Sequence, residues 1–278
     1  MLGLGASVAI PTVLSGGFAN TKSIELDGTG DHVTTYPDNS DTLKEILSGS
    51  PTAGKGFAIS SWIYHDWDAT TGYWGCDDST STGITVRLGN TNFFGGLFRQ
   101  PHIAIRHSQI YQNVSINLSQ LYTDGSPFWT HIVLVYEVDD SGSEAASTAK
   151  VYVNGSLDVS TQAAMATYSV LQTGAPSGSG TFTMANTGFV IGGWSTQASG
   201  DVSMDAGLID EFAIFNTKLT LSEVQEIYNS GAPADLTQHS KAGNLVNYYR
   251  FEDDVTDTQG NQNGTAQGNP TFSTNVPT

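Results

Sequence analysis

The hydrophobic pattern of the chain is mostly one of alternation, and its clearest run covers residues 206–215, Ala-Gly-Leu-Ile-Asp-Glu-Phe-Ala-Ile-Phe. In a regular strand, successive side chains point to opposite faces. The pattern therefore predicts a strand with two acids in its apolar middle. One face would carry Leu208, Asp210, Phe212 and Ile214, and the other Ile209, Glu211, Ala213 and Phe215.

A short helix is predicted directly after this strand. Residues 220–223, Thr-Leu-Ser-Glu, match a capping box, in which hydroxyl and carboxylate each satisfy a free backbone N–H group. Val224, Ile227 and Tyr228 fall on one face of the helix, which stops at Gly231. A strand, a tight turn and one capped helix are expected as the closing element of a β-sandwich.

Alternating runs and turn residues recur through the rest of the chain. Asn154-Gly155 is the strongest turn signal. A second short helix is predicted within residues 38–49, with Ser40 or Asp41 as its N-cap and Gly49 past its end. Strands are predicted over residues 23–33, 57–63, 84–88, 103–107, 114–118, 128–136, 150–156 and 189–193.

Several of these blocks, in this order, carry a family resemblance. Residues 206–228 resemble the C-terminal signature of laminin-G-like, concanavalin A-like jelly rolls. The resemblance implies an all-β fold over residues 21–230, an antiparallel β-sandwich of the concanavalin A type with one or two short helices. Its implications for function are loose, because folds of this kind host lectins, enzymes and structural modules. The other matching blocks are residues 23–33, 57–63, 128–136 with 150–156, and 189–193.

The C-terminal segment departs from the usual order of the family. Residues 244–266 resemble the block that normally begins such a jelly roll, yet here that block comes last. This permuted order is similar to laminin-G-like structural proteins of tailed phages, particularly those of marine bacteria. It implies that residues 231–278 complete the sandwich, by pairing beside residues 24–33, or contact a neighbouring subunit.

Charge and cysteine content narrow the possible partners. The net charge is −17 with only ten lysines and arginines, which argues against nucleic acid and against an anionic membrane surface as partners. The single cysteine, Cys76, excludes an intramolecular disulfide, so packing must hold the fold. The role of this thiol is left open.

Residues 1–20 are predicted to form an apolar N-terminal arm. The segment is interrupted by glycine and proline and lacks the basic start of a signal peptide, and it is too broken for a membrane span. We expect the arm to pack against another subunit, and the Phe-Phe pair at 93–94 to insert into a partner. The candidate assembly residues are Leu2, Leu4, Val8, Ile10, Phe93 and Phe94.

Calcium is the candidate cofactor. The ion takes about six to eight oxygen ligands, and glycine turns such as residues 27–31 expose carbonyl oxygens beside acids. In laminin-G-like folds the opening and closing strands lie close together, which implies a shared site. The alternative is that these carboxylates bond only to backbone amides of their own turns. The candidate ligands are Asp27, Asp31, Asp210 and Asp257.

Aromatic and acidic residues also mix in the segment 64–78, without a clean period. In a lectin, such a segment would stack sugar faces on its rings and bind hydroxyl groups through its carboxylates. The alternative is that the rings cover the end of the sandwich or meet a neighbouring subunit. The candidate sugar-binding residues are Trp67, Tyr73, Trp74 and Asp77.

No catalytic motif is recognisable in the sequence. Residues 25–30 approach the Glu-x-Asp-x-x-Glu motif of concanavalin A-like glycoside hydrolases but lack the final acid. The six histidines are scattered without ligand spacing, and His131 is expected to be a core or edge histidine. A non-enzymatic role is therefore predicted.

The resemblance favours a structural protein of a phage virion, assembled in the host cytoplasm, as a capsid decoration, head fibre, tail fibre or tail tip. Its expected partners are copies of itself and other virion proteins, with host surface glycans as a further candidate. The alternative is a secreted or cell-surface lectin, which should not need residues 1–17.

Overall fold

The computed structural model describes residues 18–35, 56–66, 71–76, 84–91, 100–107, 110–115, 126–137, 148–160, 189–193 and 204–278. These residues form short strands and one α-helix, α1 (Leu221–Tyr228). Three 3-10 turns, Asn229–Gly231, Leu236–Gln238 and Ala242–Asn244, follow the helix. The strands are β1 (Ser23–Leu26), β2 (His32–Thr34), β3 (Gly56–His65), β4 (Thr71–Cys76), β5 (Ile84–Thr91), β6 (Gln100–His107), β7 (Ile110–Ser115), β8 (Phe128–Glu137), β9 (Thr148–Val153), β10 (Ser156–Ser160), β11 (Val190–Ile191), β12 (Gly207–Phe215), β13 (Leu245–Tyr249), β14 (Thr265–Gln267) and β15 (Thr271–Ser273).

Two antiparallel sheets make up the sandwich. The eight-stranded sheet has the order β10–β9–β8–β3–β12–β1–β15, and β13 pairs with the second half of β12, beyond the end of β1. The seven-stranded sheet has the order β14–β2–β11–β4–β5–β6–β7. The predicted all-β antiparallel sandwich is confirmed.

The local signals at the turn and the helix are confirmed too. Asn154 and Gly155 join β9 to β10 with φ values of 48° and 71°, the left-handed pair that a two-residue hairpin turn requires. Thr220 is the N-cap of α1 and forms the full capping box with Glu223, and Asn229 ends the helix in the left-handed conformation. The second predicted helix, within residues 38–49, lies outside the described residues.

The alternation predicted for β12 is wrong in its second half. Two residues of β12 lie between the partners of Trp62 and Ser60, where β3 has only one, and Glu211 has a φ of 48°. This β-bulge shifts the phase of the strand by one residue. Ile209, Phe212 and Ile214 therefore share the inner face, instead of Phe212 and Ile214 sharing a face with Asp210.

The two faces of the eight-stranded sheet contact different layers. Its inner face packs on the seven-stranded sheet through a large apolar core that includes Ile24, Trp74, Phe189 and Phe212. Part of its outer face is covered by α1 and the following turns, which form a second, smaller core. That second core contains Ala58, Val133, Val135, Tyr152, Ala213, Phe215, Leu219, Val224, Ile227, Leu236, Leu245 and Tyr248.

The C-terminal segment contributes to both sheets within one chain. β15 pairs with β1 in the eight-stranded sheet, and β14 pairs with β2 in the seven-stranded sheet. These partners, Ser23–Leu26 and His32–Thr34, are the opening strands beside which the permuted order placed the segment. In the described part of the chain, no helix has the length and apolar character needed to cross a membrane.

Candidate functional site

Two of the predicted sugar-binding residues are not on the surface. Tyr73 and Trp74 are fully buried, and their role as sugar-stacking residues is therefore wrong. Trp74 packs against Phe189 and Phe212 and donates from its indole nitrogen to the hydroxyl of Ser61 at 3.0 Å. Trp67 and Asp77 lie outside the described residues.

A bulge in β4 explains why two adjacent aromatic residues are both buried. The register between β4 and β5 shifts between Gly72 and Trp74, so that Tyr73 is an extra residue opposite β5. The hydroxyl of Tyr73 lies 3.1 Å from Nδ1 of His65, which satisfies its polar end inside the core. Tyr73 and Trp74, which suggested an exposed loop, are thus part of the packing between the sheets.

The four candidate calcium ligands are each bonded to backbone N–H groups. Asp27 accepts from the amide of Thr29 at 2.7 Å, as in an ordinary turn. Asp31 accepts from the amides of Asp27 at 3.2 Å and Asn269 at 2.8 Å. The Asp31 carboxylate therefore joins the opening turn to the C-terminal segment.

Asp257 is the most fully bonded of these carboxylates. It accepts five hydrogen bonds, four from backbone amides and one from the Asn247 side chain. Among the described residues, no three acidic, histidine or cysteine side chains are placed to share a metal ion. The four predicted residues do not fit a common calcium site, and calcium as a cofactor stays a prediction.

Asp210 and Glu211 form a buried acid pair at the bulge of β12. Their side chains are 0% and 2% exposed. Asp210 accepts from Asn20 Nδ2 and from the amide of Glu211, each at 2.9 Å. Burial raises the pKa of Asp210 well above its usual range, and the charge of Glu211 raises it further. Burial likewise raises the pKa of Glu211, to about 8.

Arg250 connects this acid pair to the start of the described chain. Its Nε donates to Glu211 at 3.3 Å, and Tyr248 donates its hydroxyl to the same carboxylate. Its guanidinium donates to the carbonyl of Ala19 at 2.6 Å and lies 4.4 Å from the ring centre of Phe18. These contacts fix residues 18–20 against the C-terminal segment.

The predicted core histidine is buried on the outer side of the eight-stranded sheet. His131 lies between Trp62 and Tyr228, with ring centres 4.8 Å and 5.9 Å away. Its Nε2 is 2.8 Å from the hydroxyl of Ser60. Burial lowers the pKa of His131 to about 3, so the ring is neutral at physiological pH. With solvent excluded, this histidine has a structural role.

The feature that sequence reasoning missed is a row of side chains on the outer face of the eight-stranded sheet. Strand register places five residues side by side on five adjacent strands. They face outward, because their neighbours Ile63, Ile209 and Ile24 lie in the inner core. We call them the outer row. From β8 to β15, they are Trp129, Tyr64, Leu208, Glu25 and Thr271.

Trp129 and Tyr64 form a half-exposed aromatic pair at one end of the outer row. Their ring centres are 5.5 Å apart and their planes are tilted by 51°. Asn275, which follows the edge strand β15, reaches this pair across the same outer face. Its backbone carbonyl accepts from Ser23 on β1 at 2.8 Å, and its side-chain oxygen accepts from the Trp129 indole at 3.0 Å. The chain after β15 therefore turns back across the outer face.

Two polar groups next to the aromatic pair form no hydrogen bond with described residues. Within the described part of the chain, neither the Tyr64 hydroxyl nor the side-chain nitrogen of Asn275 makes a hydrogen bond. At the other end of the row, Glu25 accepts from Thr271 at 3.0 Å through one oxygen and leaves the other unused by described residues. An aromatic surface bordered by available donors and acceptors can bind a ligand that has one apolar face and several hydroxyl groups.

The candidate assembly residues cannot be placed. Leu2, Leu4, Val8, Ile10, Phe93 and Phe94 all lie outside the described residues. Tyr64 lies in the aromatic segment 64–78, but neither Tyr64 nor Trp129 was a predicted site residue, since both belong to alternating runs in which either face could be the inner one. In the described part of the chain, the position of α1 shows which half of the outer face the helix covers.

Similar solved structures share the fold. No protein-family model and no curated protein matches the sequence. A protein from Bacteroides ovatus ATCC 8483, provisionally named a carbohydrate binding protein, is 16% identical with a TM-score of 0.57. The match covers 94% of this chain and 62% of that one, so this chain spans under two thirds of that protein.

Two further solved structures match with lower TM-scores. Domains LG4-5 of the mouse laminin alpha1 chain are 13% identical, with a TM-score of 0.43, over 74% of this chain and 44% of that one. The CBM40 domain of Ruminococcus gnavus IT-sialidase is 14% identical, with a TM-score of 0.44, over 74% and 97%. At these identities the likeness extends to the fold alone, and the match to the Bacteroides ovatus protein shows a shared β-sandwich.

Proposed function

We propose that this protein is a non-enzymatic carbohydrate-binding protein and that it binds glycan on the outer row. The observation that carries the proposal is the half-exposed Trp129–Tyr64 pair with unengaged polar atoms beside it. A sugar ring has an apolar C–H face that stacks on an aromatic side chain, while its hydroxyl groups need directed hydrogen bonds. Both kinds of contact are available at this end of the row.

The accessible part of the row supports a short glycan as the ligand. Leu208 in the middle of the row is buried, so the proposed site is the Trp129–Tyr64 end, where the two rings lie one strand spacing apart, roughly 5 Å. The name of the similarly folded Bacteroides ovatus protein supports the same class of ligand. The buried acid pair on β12 does not support hydrolysis, since both carboxylates are closed off from a substrate in solution.

The proposal can be tested by measuring the binding of the intact chain to a panel of immobilised oligosaccharides. The variants Trp129→Ala and Tyr64→Ala are each expected to lower affinity at least tenfold, because a stacked ring contributes more than about 1.4 kcal/mol when desolvated. Trp129→Phe keeps a ring and should retain most of the binding.

Leu157→Ala is the matched control, because Leu157 is 46% exposed on the edge strand β10. This variant should bind as the intact chain does. Far-ultraviolet circular dichroism would confirm that each variant is folded. If no glycan binds, or if Trp129→Ala and Tyr64→Ala bind as well as the control, the proposed function is wrong.

We also propose a virion context for this binding, supported by the permuted order of sequence blocks. Block 244–266 comes after block 206–228, and this order resembles that of laminin-G-like structural proteins of tailed phages. In that case the protein assembles with itself and with other virion proteins. Sedimentation equilibrium of the intact chain and of a chain lacking residues 1–17 tests it: a closed oligomer that becomes monomeric on truncation is the expected result, and a monomer in both cases is the contrary one.

A further inference from the structure

We infer that the glycan bound on the outer row is electrically neutral, and that sialylated, sulfated or amino sugars are rejected. This inference rests on the proposed function and names the ligand class of the same site. It follows from the charges that surround the row, from the groups that border the aromatic pair and from the net charge of the chain.

The first observation is that the described cations are already engaged. Recognition of a carboxylate or sulfate group on a sugar normally uses an arginine or lysine that can donate to it. Five of the ten lysines and arginines have side chains that the structure describes, and each lies within 3.5 Å of a carboxylate. They are Lys22, Lys150, Lys218, Lys241 and Arg250.

The second observation is the charge of the row and of the chain. Glu25 is the charged member of the outer row, and it is negative. The chain as a whole has a net charge of −17. A negative surface lowers the local concentration of anionic ligands and slows their association. An acidic glycan would therefore approach an unfavourable potential without a described cation to offset it.

The third observation is that the groups next to the aromatic pair suit neutral sugars better than cationic ones. The groups next to the aromatic pair, the Tyr64 hydroxyl and the Asn275 amide, are uncharged. Glu25 is two strands away from Tyr64 and already accepts a hydrogen bond from Thr271. Within the outer row, Glu25 is the carboxylate, and it lies three strand spacings from Trp129. A hydroxyl or acetamido group stacked near Trp129 matches the uncharged donors and acceptors next to it.

The test uses oligosaccharides that differ only in charge. N-acetyllactosamine is compared with its sialylated and its sulfated forms, and a chitin hexamer is compared with the fully deacetylated hexamer. Binding of the intact chain is measured by biolayer interferometry at low and at physiological salt. We expect at least one neutral member to bind, its charged counterparts to bind at least tenfold more weakly, and the neutral affinity to change less than about twofold with salt.

Variants of the two polar residues next to the aromatic pair test their contribution to neutral-glycan binding. Tyr64→Phe and Asn275→Ala each remove one hydrogen-bonding group and should weaken neutral binding about two- to tenfold. Leu157→Ala should leave it unchanged.

The outcomes separate the inference from the function on which it rests. Preferential binding of a charged form, with an affinity that falls as salt rises, overturns the inference and leaves carbohydrate binding intact. Full neutral binding by both Tyr64→Phe and Asn275→Ala also overturns it. An absence of binding to every member overturns the proposed function and this inference together.

Discussion

The outer face of the eight-stranded sheet has two halves that differ in what covers them. On β8, the outward side chains run from Val135 and Val133 through His131 to Trp129. The first two are buried under α1 and its following turns, whereas Trp129 is half exposed. On β3 the outward series is Ala58, Ser60, Trp62 and Tyr64.

In both strands, the outward side chains change from buried to half-exposed at the same position along the sheet. Small and aliphatic residues lie where the helix packs, buried rings lie at its C-terminal end, and half-exposed rings lie beyond it. A helix of eight residues is about 12 Å long, so it can cover only part of a ten-residue strand. The comparison shows that the length of α1 defines the candidate binding surface.

The largest expected difference between the two halves is in stability. Phe215→Ala removes a fully buried ring from the helix-covered core and should lower the free energy of unfolding by about 3–5 kcal/mol. Trp129→Ala should cost roughly 1–1.5 kcal/mol, about half the value for a fully buried side chain. Urea denaturation followed by circular dichroism measures both, and equal losses would contradict the division of the face into a core half and a binding half.

The acid pair at the bulge of β12 should make the free energy of unfolding depend on pH. The pKa of Glu211 is about 8 in the folded state, against an ordinary value of 4.5. Between these values the folded state binds more protons than the unfolded state, so the free energy of unfolding falls as pH rises from about 4.5 to 8. Asp210, whose pKa is also raised by burial, acts in the same direction.

Glu211→Gln should flatten this pH dependence, because the amide keeps an oxygen for Tyr248 but does not titrate. Glu25→Gln is the control, since Glu25 is an exposed glutamate on the outer face. Urea midpoints at pH 5, 6, 7 and 8 would give the slopes. A Glu211→Gln slope identical to that of the intact chain would show that Glu211 is ionised throughout this range.

Loss of the N-cap of α1 should lower the stability by an intermediate amount. Thr220→Ala removes the hydroxyl that accepts from the amide of Glu223 and should cost about 1 kcal/mol of stability. Since α1 ends next to the aromatic rings under it, the variant should leave glycan binding unchanged while lowering the urea midpoint. Thr220→Ser keeps the hydroxyl and should restore the midpoint.

The smallest expected free-energy difference is the coupling between Asn275 and Trp129. A double-mutant cycle with Trp129→Phe and Asn275→Ala isolates this hydrogen bond, and the coupling should be about 0.5 kcal/mol because the contact is exposed to solvent. A coupling energy of zero would mean that Asn275 is held by Ser23 alone.

The elements of the fold were predictable where a local signal decides the structure. The Asn154–Gly155 turn and the capping box at Thr220 depend on residues next to each other in the chain, and both are confirmed. The bulges at Tyr73 and Glu211 were not predictable from the pattern. An inserted residue leaves an apolar run apolar and changes only which face each side chain takes.

The burial of two predicted site residues, Tyr73 and Trp74, was missed for a related reason. Trp74 and Trp129 are both tryptophans in strands, and sequence alone does not tell which of them is covered. The segment around Trp74 was favoured because acids follow it, yet Trp74 lies between the sheets and Trp129 lies beyond the end of α1. Exposure depends on contacts between residues far apart in the chain, here between Trp129 and Asn275, which are 146 positions apart.

The pairing of β14 and β15 has a consequence for synthesis on the ribosome. Each lies at an outer edge of its sheet, β15 beside β1 and β14 beside β2. Until residues 265–273 emerge, β1 and β2 would expose unpaired backbone groups, which invite pairing with other nascent chains. This sandwich is therefore completed only after residues 265–273 have been made, and a chain stalled before residue 265 would be prone to aggregation even though most of the core residues before it had already been made.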